Sequence, residues 1–161
     1  MREFTHNVAV EADPHAVIDA FFDPDALAAW WQVKRSLCVA RPLGSYAVEW
    51  ETTEWADEVL GRLGGAFRGV VIEFKEGREF FIGDAYWLPP DGEPIGPMAL
   101  EVRCTADDGR TVLHVRQSGE EDNPRWVRYF ELLAGGFAQS LDHLKQYAEG
   151  RRVAPEGEGT G

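Results

Sequence analysis

The sequence predicts an α+β fold in which a curved antiparallel β-sheet wraps around one long C-terminal helix, with two short helices after the first strand. Three observations carry that expectation. Residues Asn123 to Glu149 place Trp126, Phe130, Leu133, Phe137, Leu141, Leu144 and Ala148 at steps of three and four, on one face of a helix. Most of the chain before it alternates apolar and polar residues, and short Gly- or Pro-marked turns join the segments, as in an antiparallel meander. The helical face is too aromatic and continuous to be left in water. The strands must cover it, and a pocket between sheet and helix is the functional consequence.

The elements follow in order. Arg2 to Glu11 is a half-buried strand, with Phe4, His6, Val8 and Val10 on one side. Asp13-Pro14 and Asp23-Pro24 each offer an N-cap followed by proline at the first helical position. Short helices are therefore expected from Pro14 to about Phe22 and from Asp25 to about Trp31. Gln32 to Ala40 is strand-like, Arg41 to Gly44 is a turn, and Ser45 to Glu51 alternates Tyr46, Val48 and Trp50 against Ala47, Glu49 and Glu51. In Thr52 to Gly65, Trp55, Val59 and Leu63 step by four. That spacing suggests a helical turn or two, which Gly61, Gly64 and Gly65 weaken, so the segment reads as an elaborated strand connection. Ala66 to Phe74 is a strand with Val70, Ile72 and Phe74 on one face, and Arg78 to Leu88 is an unusually aromatic one. Pro89 to Pro97 reads as a loop unsuited to sheet. Met98 to Thr105 and Arg110 to Ser118 form a hairpin, with Leu100, Val102, Cys104, Leu113 and Val115 inward and Glu101, Arg103, His114 and Arg116 outward. Asn123 caps the long helix and Gly150 is its expected stop. Gly135-Gly136 inside it implies a close approach of the sheet or a bend. One domain is expected over residues 1–150, followed by a flexible tail over 151–161.

Composition narrows the function classes. A net charge of −12 disfavours nucleic acid and anionic membrane as partners, because phosphates are repelled. No apolar run is long enough to span a membrane, and MREFTHNVAVEADP has no signal core, so a cytoplasmic protein is expected. Cys38 and Cys104 lack paired spacing and read as reduced core thiols.

Four stretches carry a family resemblance. They are Val10 to Trp31 (VEADPHAVIDAFFDPDALAAWW), Gly65 to Val71 (GAFRGVV), Thr111 to Gly119 (TVLHVRQSG) and Gly136 to Gly150 (GFAQSLDHLKQYAEG). In order and spacing they resemble the activator-of-Hsp90-ATPase-homologue-1-like (AHSA1-like) branch of the START-related, Bet v 1-like (SRPBCC) superfamily. The sequence departs from many relatives at Phe137, where tryptophan is common, and in the long Thr52 to Gly65 segment. The resemblance implies the helix-grip fold, with a cavity between sheet and final helix. Some members bind hydrophobic or aromatic small molecules, some superfamily relatives are cyclases or dehydratases, and the eukaryotic namesake acts on a chaperone ATPase. Fold alone does not choose among these.

The residues offer little dedicated chemistry. His6, His15, His114 and His143 fall on four different elements, no metal-ligand spacing occurs, and neither a nucleophile elbow nor a phosphate loop is present. No cofactor is called for. Asp84, in the aromatic strand FFIGDAYW, is the foremost acid–base candidate, with Glu49 behind it. On simple alternation Asp84 shares a face with Phe80, Ile82 and Tyr86. Inward, it is a carboxylate in an aromatic pocket; outward, it is an ordinary solvated charge. The aromatic excess is more informative, and Trp31, Trp50, Tyr86, Trp126 and Phe130 are the candidate ligand contacts. The first expectation is a binder of a hydrophobic or aromatic small molecule. The alternatives are a cyclase- or dehydratase-type enzyme using Asp84 or Glu49, and a chaperone-modulating interaction protein. Exposed strand edges leave a homodimer open.

Overall fold

The computed structural model describes the backbone of residues 1–157 and the side chains of residues 1–150. Strand β1 (Arg2–Val10) leads into α1 (Pro14–Asp19) and α2 (Pro24–Trp31). Then come β2 (Arg35–Cys38), β3 (Ser45–Trp50), the short β4 (Ala56–Asp57) and β5 (Gly61–Arg62), β6 (Gly65–Lys75), β7 (Glu79–Leu88), β8 (Ile95–Asp107), β9 (Arg110–Gly119) and α3 (Pro124–Gly157). A seven-stranded antiparallel sheet runs in the order β1-β9-β8-β7-β6-β3-β2. This is the α+β arrangement the sequence implies, with α3 packed against the sheet and the chain's first strand joining its last.

The caps form as their chemistry dictates. Asp13 accepts the N–H of His15 at 2.8 Å, Asp23 accepts that of Ala26 at 2.9 Å, and Asn123 accepts those of Arg125 and Trp126 at 3.0 and 3.1 Å. Phe21 and Phe22 from the turn between α1 and α2, and Trp30 of α2, meet Tyr46 of β3 and Phe80 of β7 in a cluster of edge-to-face rings. Burying those rings requires their polar atoms to find partners. The Trp30 indole donates to the Ala20 carbonyl and the Tyr46 hydroxyl to that of Phe21, each at 2.8 Å. Trp126, Phe130, Phe137, Leu141, Leu144 and Ala148 of α3 are all buried, which leaves Leu133 half-exposed.

Several expectations change. Thr52 to Gly65 contains no helix. It folds as the two-stranded β4–β5 hairpin, because Gly61, Gly64 and Gly65 take positive φ and Asp57 accepts the N–H groups of Val59 and Leu60 to make the turn. Trp55 and Val59 are exposed, while Leu60 is buried. In β6 the inward residues are Phe67 and Val71, so Ile72 points out; the register with β7 then slips between Val71 and Glu73 and brings Phe74 back onto the core, which splits the face expected to hold Ile72 and Phe74 together. Sheet begins inside the proline-rich stretch, at Ile95, which pairs with Trp87. α3 does not stop at Gly150 but runs to Gly157, since a helical glycine costs about 1 kcal/mol rather than forbidding the helix. The tail expected over 151–161 falls partly on residues 158–161, outside the described residues.

Candidate functional site, a recess between sheet and helix

Between the sheet and α3 lies a recess of about 410 Å³. Its walls are flat rings. Trp31 from α2, Trp50 from β3, Phe67 from β6, Trp87 from β7, and Tyr129 and Phe137 from α3 all line it. Trp31 is held in a stack between Trp30 and Phe137, with centroids 4.8 and 5.2 Å apart and planes within 8°. Trp50 meets Trp31 edge-on at 5.4 Å. Two of the indole N–H groups are already spent on backbone: Trp50 donates to the Trp31 carbonyl at 2.9 Å and Trp87 to that of Gly64 at 2.8 Å. What these two indoles offer a ligand is therefore their rings.

The β4–β5 hairpin closes one side. Leu60, Leu63 and Gly64 line the recess, and two ion pairs fix the segment to its surroundings. Arg128 of α3 donates through Nε to Asp57 at 2.9 Å, and Arg62 grips Asp91 through Nε and Nη2 at 3.0 and 2.8 Å. The hydrogen bonds from Arg128 and from the Leu60 and Val59 N–H groups hold the Asp57 carboxyl below the usual range. Asp91 is drawn down to about 2, chiefly by the Arg62 guanidinium.

One polar pair stands in this apolar setting, Gln117 buried and Tyr129 half-buried. Gln117 of β9 is 3% exposed, and its Nε2 donates to the Tyr129 hydroxyl at 3.0 Å and points at the Met98 sulfur at 3.6 Å. Burial pushes the Tyr129 pKa up against the smaller opposing effect of the Gln117 bond, so the phenol stays protonated at neutral pH. Glu51, which is exposed, is the acidic residue that lines the recess.

The residues singled out from the sequence divide. Trp31 and Trp50 line the recess. Tyr86 does not; it stands half-buried on the other face of the sheet, beside Arg68, Asp84 and Pro94. Trp126 and Phe130 are core residues beyond the recess, Trp126 against Gly119 and Phe130 beside Val127. Asp84 is exposed, and simple alternation misplaces it for a definite reason. Between the pairs Val70–Gly83 and Arg68–Tyr86, β6 advances two residues and β7 three, so Asp84 is the extra residue of a bulge, at φ 51°. After it the faces exchange: Ala85 and Trp87 point in and Tyr86 points out. Glu49 is also outside the recess, bonded to Arg35 at 2.9 Å and 3.8 Å from Lys34. The Arg35 hydrogen bond lowers its pKa, the opposite of what a base working near neutrality needs.

Sequence reasoning missed Gln117, Tyr129 and Trp87. The signal for Gln117 was present: along Thr111, Leu113, Val115 and Gln117 a polar side chain takes an inward position of a clean alternation. Gly135 and Gly136 do not mark a close approach, for a Cβ on either would meet nothing within 4 Å. Gly136 instead borders the recess and leaves it open. Among the described residues no cluster of His, Cys, Asp or Glu is arranged to hold a metal, and no helix is long and apolar enough to cross a membrane.

Comparison with known proteins decides the family. The sequence matches the family described as Activator of Hsp90 ATPase homolog 1-like protein over residues 11–149. The chain belongs to that family. No curated protein matches its sequence. Among solved structures, protein CV1439 from Chromobacterium violaceum shares 24% identity over 92% of this chain and 99% of its own, with a TM-score of 0.66. Protein MLL2253 from Mesorhizobium loti shares 16% over 90% and 95%, with a TM-score of 0.67. The Aha1 dimer from Colwellia psychrerythraea shares 15% over 92% and 97%, with a TM-score of 0.64. At these identities the likeness speaks for the AHSA1-like helix-grip fold and for nothing finer.

Proposed function

We propose that this AHSA1-like chain is a cytoplasmic binding protein that holds an apolar or aromatic small molecule in the recess between sheet and α3. The observation that carries the reading is the wall itself: three tryptophans, two of them with N–H groups already bonded to backbone, with Phe67 and Phe137 beside them. Such a surface gains by covering its rings with another apolar body. The recess volume lies in the usual range for small-molecule sites, about 300–1,000 Å³. Two free, half-buried thiols suit a reducing compartment; burial raises Cys38 to about 11 and Cys104 to about 12, so both stay protonated. The cyclase or dehydratase alternative gains nothing from Asp84 or Glu49, since neither carboxylate reaches the recess.

Mass measurement of purified protein under native and then denaturing conditions tests the reading. Extra mass that disappears on denaturation supports it and gives the size of the ligand. For protein that purifies empty, a neutral hydrophobic probe should quench tryptophan emission saturably, because Trp31, Trp50 and Trp87 all face the recess. No co-purified mass and no saturable quenching would overturn it.

A further inference from the structure

Gln117 occupies an inward position where its neighbours on the strand, Leu113 and Val115, are fully apolar, and it pairs across the sheet with Phe4 and Leu100. Burying an amide there costs free energy unless its hydrogen-bonding groups are used. The Nε2 group is used, on Tyr129 and toward Met98. Among the described residues nothing donates to the amide oxygen, and the Tyr129 hydroxyl, which accepts from Gln117, has no acceptor for its own hydrogen. Both side chains line the recess. The pair thus presents one acceptor and one donor side by side, the buried polar contact of a recess walled mainly by aromatic and leucine side chains, with Gln32, Glu51, Thr53 and Ser140 as its other polar lining residues.

Resting on the binding reading above, we infer that Gln117 and Tyr129 form the polar end of the recess and select an uncharged aromatic ligand bearing a hydroxyl group. A hydroxyl donates to the Gln117 oxygen and accepts from the Tyr129 phenol, so it satisfies both groups at once. A bare hydrocarbon leaves both unpaired. A carboxylate meets no cation in the lining: no lysine, arginine or histidine lines the recess, its one acidic lining residue, Glu51, already holds Lys34 at 2.9 Å, and the whole chain carries −12. The ligand class is therefore narrower than "hydrophobic".

The test uses 1-naphthol, naphthalene and 1-naphthoate, titrated at neutral pH into the full-length protein and followed by tryptophan quenching. The wild type should bind 1-naphthol about tenfold more tightly than naphthalene, the worth of about one net hydrogen bond or a little more, and 1-naphthoate least. Tyr129→Phe should bring the naphthol-to-naphthalene ratio close to one by weakening naphthol and sparing naphthalene. Gln117→Met, which keeps the volume, should do the same and covers the case in which Tyr129→Phe folds poorly. Naphthalene binding as tightly as naphthol, or an unchanged ratio in a folded variant, would overturn the selectivity while leaving the aromatic recess standing. Failure of all three probes to bind would remove the recess reading and this inference with it.

Discussion

Asp84 shows how one residue redirects a strand. Its φ of 51° lies in the left-handed region, which aspartate tolerates and branched side chains do not. Asp84→Gly should keep or slightly raise stability, whereas Asp84→Val should cost about 1–2 kcal/mol, both read from urea unfolding. Because Asp84 stands outside the recess, Asp84→Gly should leave probe binding unchanged; a loss of binding would show that the bulge shapes the site. The sign of the acid response follows from two other carboxylates. Asp57 and Asp91 are both held below 3.8 by their arginines, so their contributions are complete above that value and fade as pH falls. For Asp91 the window runs from 3.8 down to about 2. Asp91→Asn should weaken the protein at neutral pH and flatten its stability profile across that window. A profile parallel to that of the wild type would contradict the pairing with Arg62.

At the scale of elements, the final helix was the most legible part, because seven apolar residues at helical spacing and an Asn-Pro cap agree with each other. Both short helices were equally plain from their Asp-Pro caps. The β8–β9 hairpin was legible because its alternation is unbroken, with Val102 opposite Val115 and Cys104 opposite Leu113. Strands β6 and β7 were not, because their bulges exchange faces in mid-strand, and period-two reasoning carries each error to the strand's end. A Gly-Asp pair inside FFIGDAYW was a usable hint, since glycine within a strand often marks a bulge. The hairpin β4–β5 misled through Trp55, Val59 and Leu63, whose helical spacing is incidental: two of the three are exposed or nearly so. Asp57 fastens this hairpin to α3 through Arg128 while capping its turn, and only 8% of it is exposed. Asp57→Ala should destabilise by about 1–2 kcal/mol, chiefly by leaving the buried Leu60 N–H unsatisfied, since Arg128 is exposed enough to turn to water. A second close contact joins β9 to α3, where a Cβ on Gly119 would lie 2.1 Å from the Trp126 ring. Gly119→Ala should therefore lower stability by about 1–3 kcal/mol through overpacking. A melting curve like that of the wild type would show that the ring gives way freely.

Across the whole molecule, the fold follows from local signals, and the site from where the sheet and helix leave space. That space could not be read from composition. The aromatic residues were visible, but Trp30, Trp126 and Phe130 are core while Trp31, Trp50 and Trp87 are wall, and only three-dimensional packing separates the two groups. The central claim, that the recess is the binding site, meets its most direct test in the neighbouring helical glycines Gly135 and Gly136. A side chain has room at each, but only Gly136 borders the recess. Either Gly→Leu change should strengthen the helix by about 1 kcal/mol, so loss of fold does not confuse the comparison. The measurement is 1-naphthol affinity of Gly136→Leu beside Gly135→Leu. The account predicts at least a tenfold loss for Gly136→Leu, whose side chain fills the recess, and near wild-type affinity for Gly135→Leu. Equal affinities in the two variants would place binding elsewhere and contradict it.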